Sequence, residues 1–351
     1  MAEVNSDQSV TVDFGDTDET LTIDPHILVG TTNESAIFTS FENSKLVNHG
    51  TIYAAPQQNG VDFEGTGKGT ITNAADGQIS AYVGVYGFNY AVAVTNHGAI
   101  TSYDGSGVEF QGDAGGSKLV NTGSVFGHVH GVHLYNISGT YTIDNSGSIT
   151  SDFFGILIQG NATPTVKITN ETTGIIRAPS NAIDNDNAKL VLTNHGHIYG
   201  SIYDAATGGS EVITNDGTIH GIVNMGSHHD VYNGVGGHVL EVAGEGGNDK
   251  LTGGSKDDVL NGGSGNDTLT GNGGHDTFVF GTNFGKDTIT DFHPSSDIIE
   301  IDHSVFADFD ALIAHTTDVS GHAVIAYDAS NTITLAGVLK ANLNQSDFHF
   351  V

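Results

Sequence analysis

One short pattern recurs eight times in the N-terminal two thirds of the chain, and it restricts the fold more than any other feature. A β-branched or aliphatic alternation leads to Asn, then Gly, one residue, and Ile or Val. It reads LVNHGTI to Ile52, ITNAADGQI to Ile79, VTNHGAI to Ile100, LVNTGSV to Val125 and IDNSGSI to Ile149. It continues as ITNETTGII to Ile176, LTNHGHI to Ile198 and ITNDGTI to Ile219. The glycines are Gly50, Gly77, Gly98, Gly123, Gly147, Gly174, Gly196 and Gly217, with spacings of 27, 21, 25, 24, 27, 22 and 21. Between them lies a looser apolar run, as in GVDF from Gly60, GVEF from Gly107, GVHL from Gly131 and GILI from Gly155. Each repeat therefore holds at least two short strands with alternating side chains, joined by Gly and Asn turns. A unit of this size cannot bury an apolar face alone, but stacked coils can, which predicts a parallel β-solenoid of about eight coils. Stacked Asn amides at one corner would hydrogen-bond from coil to coil, and Asn also tolerates the left-handed backbone of a turn.

The period then changes to nine. Asp249, Asp258, Asp267 and Asp276 are nine residues apart, and each is followed two positions later by Leu251, Leu260, Leu269 or Phe278. The copies are GEGGNDKLT from Gly244, GGSKDDVLN from Gly253, GGSGNDTLT from Gly262 and GNGGHDTFV from Gly271. A linker has no reason to keep Asp and an apolar residue in phase over four repeats. Gly-rich turns let backbone carbonyls converge, the Asp supplies charged oxygen, and the apolar residue begins an inward-facing strand. Hard oxygen donors without Cys favour Ca²⁺ over Zn²⁺.

This array resembles the G-G-x-G-x-D-x-U-x nonapeptide of the RTX (repeats-in-toxin) family. The resemblance implies a parallel β-roll with two nonapeptides per 18-residue coil. The ligands it implies are Asp249, Asp258, Asp267 and Asp276, with the backbone of Gly244, Gly247, Gly253, Gly254, Gly262, Gly263, Gly265, Gly271 and Gly274. Asp287, in GTNFGKDTI, reads as a fifth, stretched copy. Asp249 should pair with Asp267, and Asp258 with Asp276, across about two to four Ca²⁺ ions in all. Glu245 and Asn272 replace the second Gly and Lys256 replaces the fourth, so the site using the Lys256 turn should be weaker. SHHDVYNG around Asp230 is either a degenerate first copy or a junction.

Beyond Phe278 apolar residues return. Val305, Phe306, Phe309, Leu312 and Ile313 fit one helical face with Ser304 as its cap, and a hairpin is expected from Ala323 and Thr332 around DASN. FGKDTITDF, DIIEI, TITLAGV and the ending SDFHFV resemble the C-terminal part of serralysin-type and alginate-epimerase R-module RTX proteins. There, this part caps the β-roll and holds an uncleaved type I secretion signal, which Asp347 followed by Phe348, Phe350 and Val351 fits with His349 interrupting. The N-x-G-x-I coils in turn resemble right-handed β-helix passenger and adhesin-like proteins. The expected organisation is an N-terminal strand or cap region over 1–39, a parallel β-helix over 40–226, an RTX calcium-binding β-roll over 227–290, and a cap with the secretion signal over 291–351.

Composition narrows the partners. The chain has 41 Asp and Glu against 10 Lys and Arg, a formal charge of −31, so phosphate-rich nucleic acid and anionic membrane are unsuited to it. Zero Cys removes disulfides, thiol nucleophiles and Cys-zinc sites. MAEVNSDQSV has neither a cationic n-region nor an apolar h-region, so export without an N-terminal signal peptide is expected.

No catalytic constellation stands out. H-E-x-x-H and G-x-S-x-G are absent. IDPHI at Asp24, Pro25 and His26 is similar to the D-P-H-E of alginate epimerases, but Ile27 replaces the Glu. Arg177 is the only Arg, and Asp152, Asp184 and Asp186 have no distinguishing context beyond surface turns. His128, His130 and His133 in HVHGVH are either structural or a transition-metal cluster, with His128 and His130 on one face of a strand. Tyr82, Tyr86, Phe88 and Tyr90 offer either lateral packing or a sugar-stacking surface. The expectation is an all-β, secreted, calcium-binding RTX protein, non-catalytic and adhesin-like, contacting glycans or copies of itself and exported by a type I apparatus. The alternative is a polysaccharide lyase or mannuronan epimerase acting in a β-helix groove.

Overall fold

The computed structural model describes residues 2–4, 6–9, 11–112, 115–161, 164–205 and 209–351. The chain forms two compact units, Met1–Ser201 and Ile202–Val351. Both are parallel β-solenoids.

In Met1–Ser201 each coil contributes to three rows of parallel strands, one more than the sequence pattern requires. The first row contains Lys45–Asn48, Lys68–Asn73, Ala91–Asn96, Lys118–Asn121, Thr140–Asn145, Thr165–Asn170 and Lys189–Asn194, each ending on the repeated Asn. The second contains the Gly-x-Ile segments, from Thr51–Ala54 to Ser148–Ser151 and the start of Ile175–Asn185. The third runs from Ile37–Thr39 through Val61–Glu64, Val85–Phe88, Ser106–Gln111, His130–Ile137 and Phe154–Gly160 to the end of Ile175–Asn185. Parallel pairing already begins upstream of residue 40, where Thr20–Ile23 pairs with Lys45–Asn48 and Ala2–Val4 pairs with Thr20–Ile23.

Register makes the core. Ile52, Ile79, Ile100, Val125, Ile149 and Ile176 stack directly on one another and are essentially fully buried. Each contributes roughly 1.5–3 kcal/mol by leaving water. The Asn column is equally buried. Asn48 donates its Nδ2 to Asn73 Oδ1 at 2.8 Å, and the same 2.8 Å bond repeats from Asn73 to Asn96, Asn121, Asn145, Asn170 and Asn194. The Gly beside it is needed for close approach: a Cβ at Gly123 would lie 2.1 Å from the Gly98 carbonyl oxygen.

Ile202–Val351 has two long rows, with a short parallel pairing of Gly246–Gly247 and Ser264–Gly265 beside them. One holds Val212–Asn215, Val231–Asn233, Lys250–Thr252, Thr268–Thr270, Lys286–Ile289 and Thr332–Leu335. The other holds Ile222–Asn224, Glu241–Ala243, Val259–Asn261, Thr277–Phe280, Ile298–Ile301 and Phe348–Phe350. Leu251, Leu260, Leu269 and Phe278 all point inward at 0% exposure. The expected hairpin forms between His322–Ala326 and Thr332–Leu335, preceded by an antiparallel strand Thr316–Val319. The α-helix is shorter than its apolar face suggests. It spans Phe309–Ala314, and its cap is Asp308, which accepts from Ala311 N at 2.8 Å. Ser304 instead donates its N–H to Asp302 in the preceding turn. No helix among the described residues is long and apolar enough to cross a membrane.

Asn121→Ala removes a rung: the Asn145 Oδ1 loses its donor in the core, and the Asn96 amide loses one acceptor while keeping Ser124 O at 3.0 Å. Leaving a buried polar group unpaired costs about 1–3 kcal/mol, so urea unfolding should show a loss of about 2 kcal/mol or more. A loss below about 0.5 kcal/mol, the range of ordinary surface changes, contradicts the structural role of the ladder.

Candidate calcium site

Each nonapeptide Asp stands immediately before its inward strand, where the chain leaves the Gly-rich turn, so its carboxylate is carried beneath the turn and away from water. Asp230, Asp249, Asp258, Asp267, Asp276, Asp287 and Asp297 are all at most 3% exposed. Buried carboxylates need partners.

They form two columns. In the first, Asp230, Asp249 and Asp267 each donate their backbone N–H to Oδ1 of the Asp one coil later, at 2.9 Å to Asp249, 2.8 Å to Asp267 and 2.8 Å to Asp287. In the second, Asp258 N donates to Asp276 Oδ1 at 3.0 Å, and Asp276 N to Asp297 Oδ1 at 3.2 Å. Asp249 thus meets Asp267, and Asp258 meets Asp276. Asp287 continues the first column. Asp230 heads it, and its own Oδ1 accepts from Glu211 N at 2.7 Å. Sequence spacing did not single out Asp297 or Glu211.

The glycines explain themselves here. A Cβ at Gly244, Gly262 or Gly271 would come within 2.2–2.3 Å of Oδ2 of Asp249, Asp267 or Asp276. Gly247, Gly265 and Gly274, the fourth residues of their copies, share φ values of +142°, +146° and +133°. Lys256, the fourth residue of the second copy, does not take up that backbone. In that copy Asp258 Oδ2 turns to its own loop and accepts from Gly254 N at 2.6 Å.

Oδ2 of Asp230, Asp249 and Asp267 is buried without a hydrogen-bond partner. Burial, opposed by the donated N–H and reinforced by the neighbouring carboxylates, pushes Asp249 and Asp287 up to about 8. Burial likewise raises Asp276 to about 6, and raises Asp258, Asp267 and Asp230. Stacked carboxylates with open oxygens fit a hard divalent cation, which would reverse these shifts by favouring the charged form. Among the described residues no three His, Asp or Glu side chains gather as a metal cluster. An ion here would take one or two carboxylates and complete its oxygen shell from turn carbonyls.

Residues 243–278 match the family of the RTX calcium-binding nonapeptide repeat, in four copies. The segment is an RTX repeat array. Such repeats imply calcium binding. No curated protein matches the chain. Among solved structures, the chain is similar to the extracellular lipase LipA from Serratia marcescens, at 14% identity with a TM-score of 0.31. That match covers 61% of this chain and 40% of the lipase, a likeness too distant to bear on activity.

The other candidates are dispersed. His128 pairs with Asp152 at 2.8 Å, whereas the His130 and His133 rings lie 4.4 Å apart, with His133 Nδ1 3.4 Å from Glu109. Arg177 stacks over Tyr199 at 4.1 Å. Asp184 accepts from Asn181 and Asp186 from Gln159. Asp24, Pro25 and His26 form the turn before Leu28–Thr31. Tyr90 is a core residue 5.4 Å from Phe63, while Tyr86 and Phe88 stack on each other on the outer face.

Two outcomes follow. Carboxyls whose folded pKa is raised stabilise the ion-free fold below their unfolded pKa of about 4, and that contribution disappears as pH rises through the folded values near 8. In chelator, the melting temperature of Ile202–Val351 should therefore fall between pH 6 and pH 9, and millimolar Ca²⁺ should abolish the fall; a rise in chelator contradicts the buried columns. Asp267→Ala should raise the Ca²⁺ concentration for half-maximal folding at least tenfold, while Asp302→Ala, an exposed carboxylate, should leave it unchanged.

Proposed function

We propose that the protein is a secreted, calcium-dependent extracellular or cell-surface component, non-catalytic and adhesin-like, whose C-terminal unit folds on Ca²⁺. The observation that carries this reading is the pair of buried carboxylate columns, the first with open Oδ2 atoms at Asp230, Asp249 and Asp267, built around an RTX array. In a compartment poor in Ca²⁺ those columns repel and favour the unfolded chain; outside, ion binding stabilises the fold by mass action. The coils of Met1–Ser201 have an ion-independent ladder, which suits them to present a permanent surface to glycans or to other copies of the chain.

The alternative, a polyuronate lyase or epimerase, requires a cation against the substrate carboxylate. Arg177 is already held against Tyr199, which weighs against that role.

Hydrogen exchange on the full chain tests the reading. With chelator, protection should fall sharply across residues 244–300 while it persists along the Asn column, and millimolar Ca²⁺ should restore it. Protection that is unchanged in chelator, or lost equally from both units, would falsify the proposal.

A further inference from the structure

The outward positions of the third strand row in Met1–Ser201 place Asp62, Tyr86, Glu109, His133, Leu157 and Asp184 in register. Outward side chains on a solenoid are ordinarily solvated, yet those of Glu109 and His133 are only 16% and 12% exposed. The chain around Tyr82, Asp104 and Val129 stands beside them, and together they line an open cavity of about 290 Å³. This is close to the low end of the roughly 300–1,000 Å³ typical of ligand sites, enough to seat one saccharide ring.

The walls carry a connected polar set. Glu109 Oε2 accepts from Ser106 Oγ at 3.0 Å and faces His133 Nδ1 at 3.4 Å. Ser106 Oγ is 3.2 Å from His130 Nδ1, and His133 Nε2 is 3.1 Å from Gln159 Oε1. Burial works against the Glu109 carboxylate, but His133 and Ser106 hold it below the usual range, so it is ionised. Burial pushes His130 down to about 4, so that ring is neutral. Tyr135, 42% exposed with its ring 5.4 Å from His133, stands at the rim as an aromatic platform.

No Lys or Arg lines this cavity, whereas Glu109 and Asp104 do. A ligand carboxylate brought beside them would meet like charge from both and compete with Glu109 for His133, 3.4 Å from it. Hydroxyl groups suit the mixture of carboxylate, imidazole and hydroxyl, and the C–H face of a sugar suits an amphipathic tyrosine ring.

We infer that this cavity binds one ring of a saccharide that carries no carboxylate. The inference sharpens the glycan-contact reading above and rests on it. It goes further by excluding uronates from the site.

The test is saturation-transfer NMR and calorimetry on the full Ca²⁺-loaded chain, with cellotriose, mannotriose, galactotriose, chitotriose and trigalacturonate as probes. At least one of the four carboxylate-free trisaccharides should bind, with trigalacturonate at least tenfold weaker. Glu109→Gln and Tyr135→Ala should each weaken binding at least tenfold. Tyr135 is exposed, so its variant keeps the wild-type melting temperature. Trigalacturonate binding as tightly as the others, or undiminished binding by Tyr135→Ala, overturns the cavity assignment while leaving glycan contact standing. Failure of all five probes overturns both, and the calcium reading is judged separately by the chelator experiment.

Discussion

Parallel coils in register place each residue on its counterpart one coil away, so a polar group admitted to the interior arrives as a column. Everything then depends on whether that column can satisfy itself. An Asn amide is both donor and acceptor, and the column from Asn48 to Asn194 closes through its own 2.8 Å bonds. An ionised Asp is acceptor only. Its column borrows a backbone N–H for Oδ1, leaves Oδ2 of Asp249 and Asp267 open, and stacks like charges. One architecture thus yields a unit complete in water and another that asks for a counter-ion.

That contrast also shows what was readable in the sequence. The strand ends at Asn and the inward Ile and Leu columns follow from the repeat pattern, and the meetings of Asp249 with Asp267 and Asp258 with Asp276 from the two-nonapeptide coil that the RTX resemblance implies. Period and register part company where turns change length. Asp230, Asp287 and Asp297 lie 19, 20 and 21 residues from their neighbours in a column instead of 18, yet occupy the same rung position. A turn absorbs the extra residues without moving the register, so Asp297, in a stretch without glycine, gave no phase signal. The first and second rows of Met1–Ser201 share one sequence pattern because only the short Asn–Gly turn separates them, whereas the looser runs GVDF, GVEF, GVHL and GILI are the third row. The helix start was misplaced by four residues because Ser304 and Asp308 both fit a cap, and only the turn made by Asp302 decides between them.

Charge is distributed by the same rule. Seven of the acidic residues are buried in the two Asp columns. Glu109 belongs to neither column. It is held ionised by His133 and Ser106 on the outer side of a strand row, where ordinary burial would have neutralised it. A carboxylate kept charged by its neighbours at such a place would select among ligands by their charge.

Both ladders run the same way along the chain: the earlier coil donates and the later coil accepts, amide to amide in one and backbone N–H to carboxylate in the other. Each rung is completed only by the coil that follows it, and any coil offers the next the same interface. Whole periods can therefore be duplicated or lost between generations without creating a mismatched neighbour. Length in such a molecule is an evolutionary variable separable from its chemistry, and a fraction of a period is the change it cannot absorb.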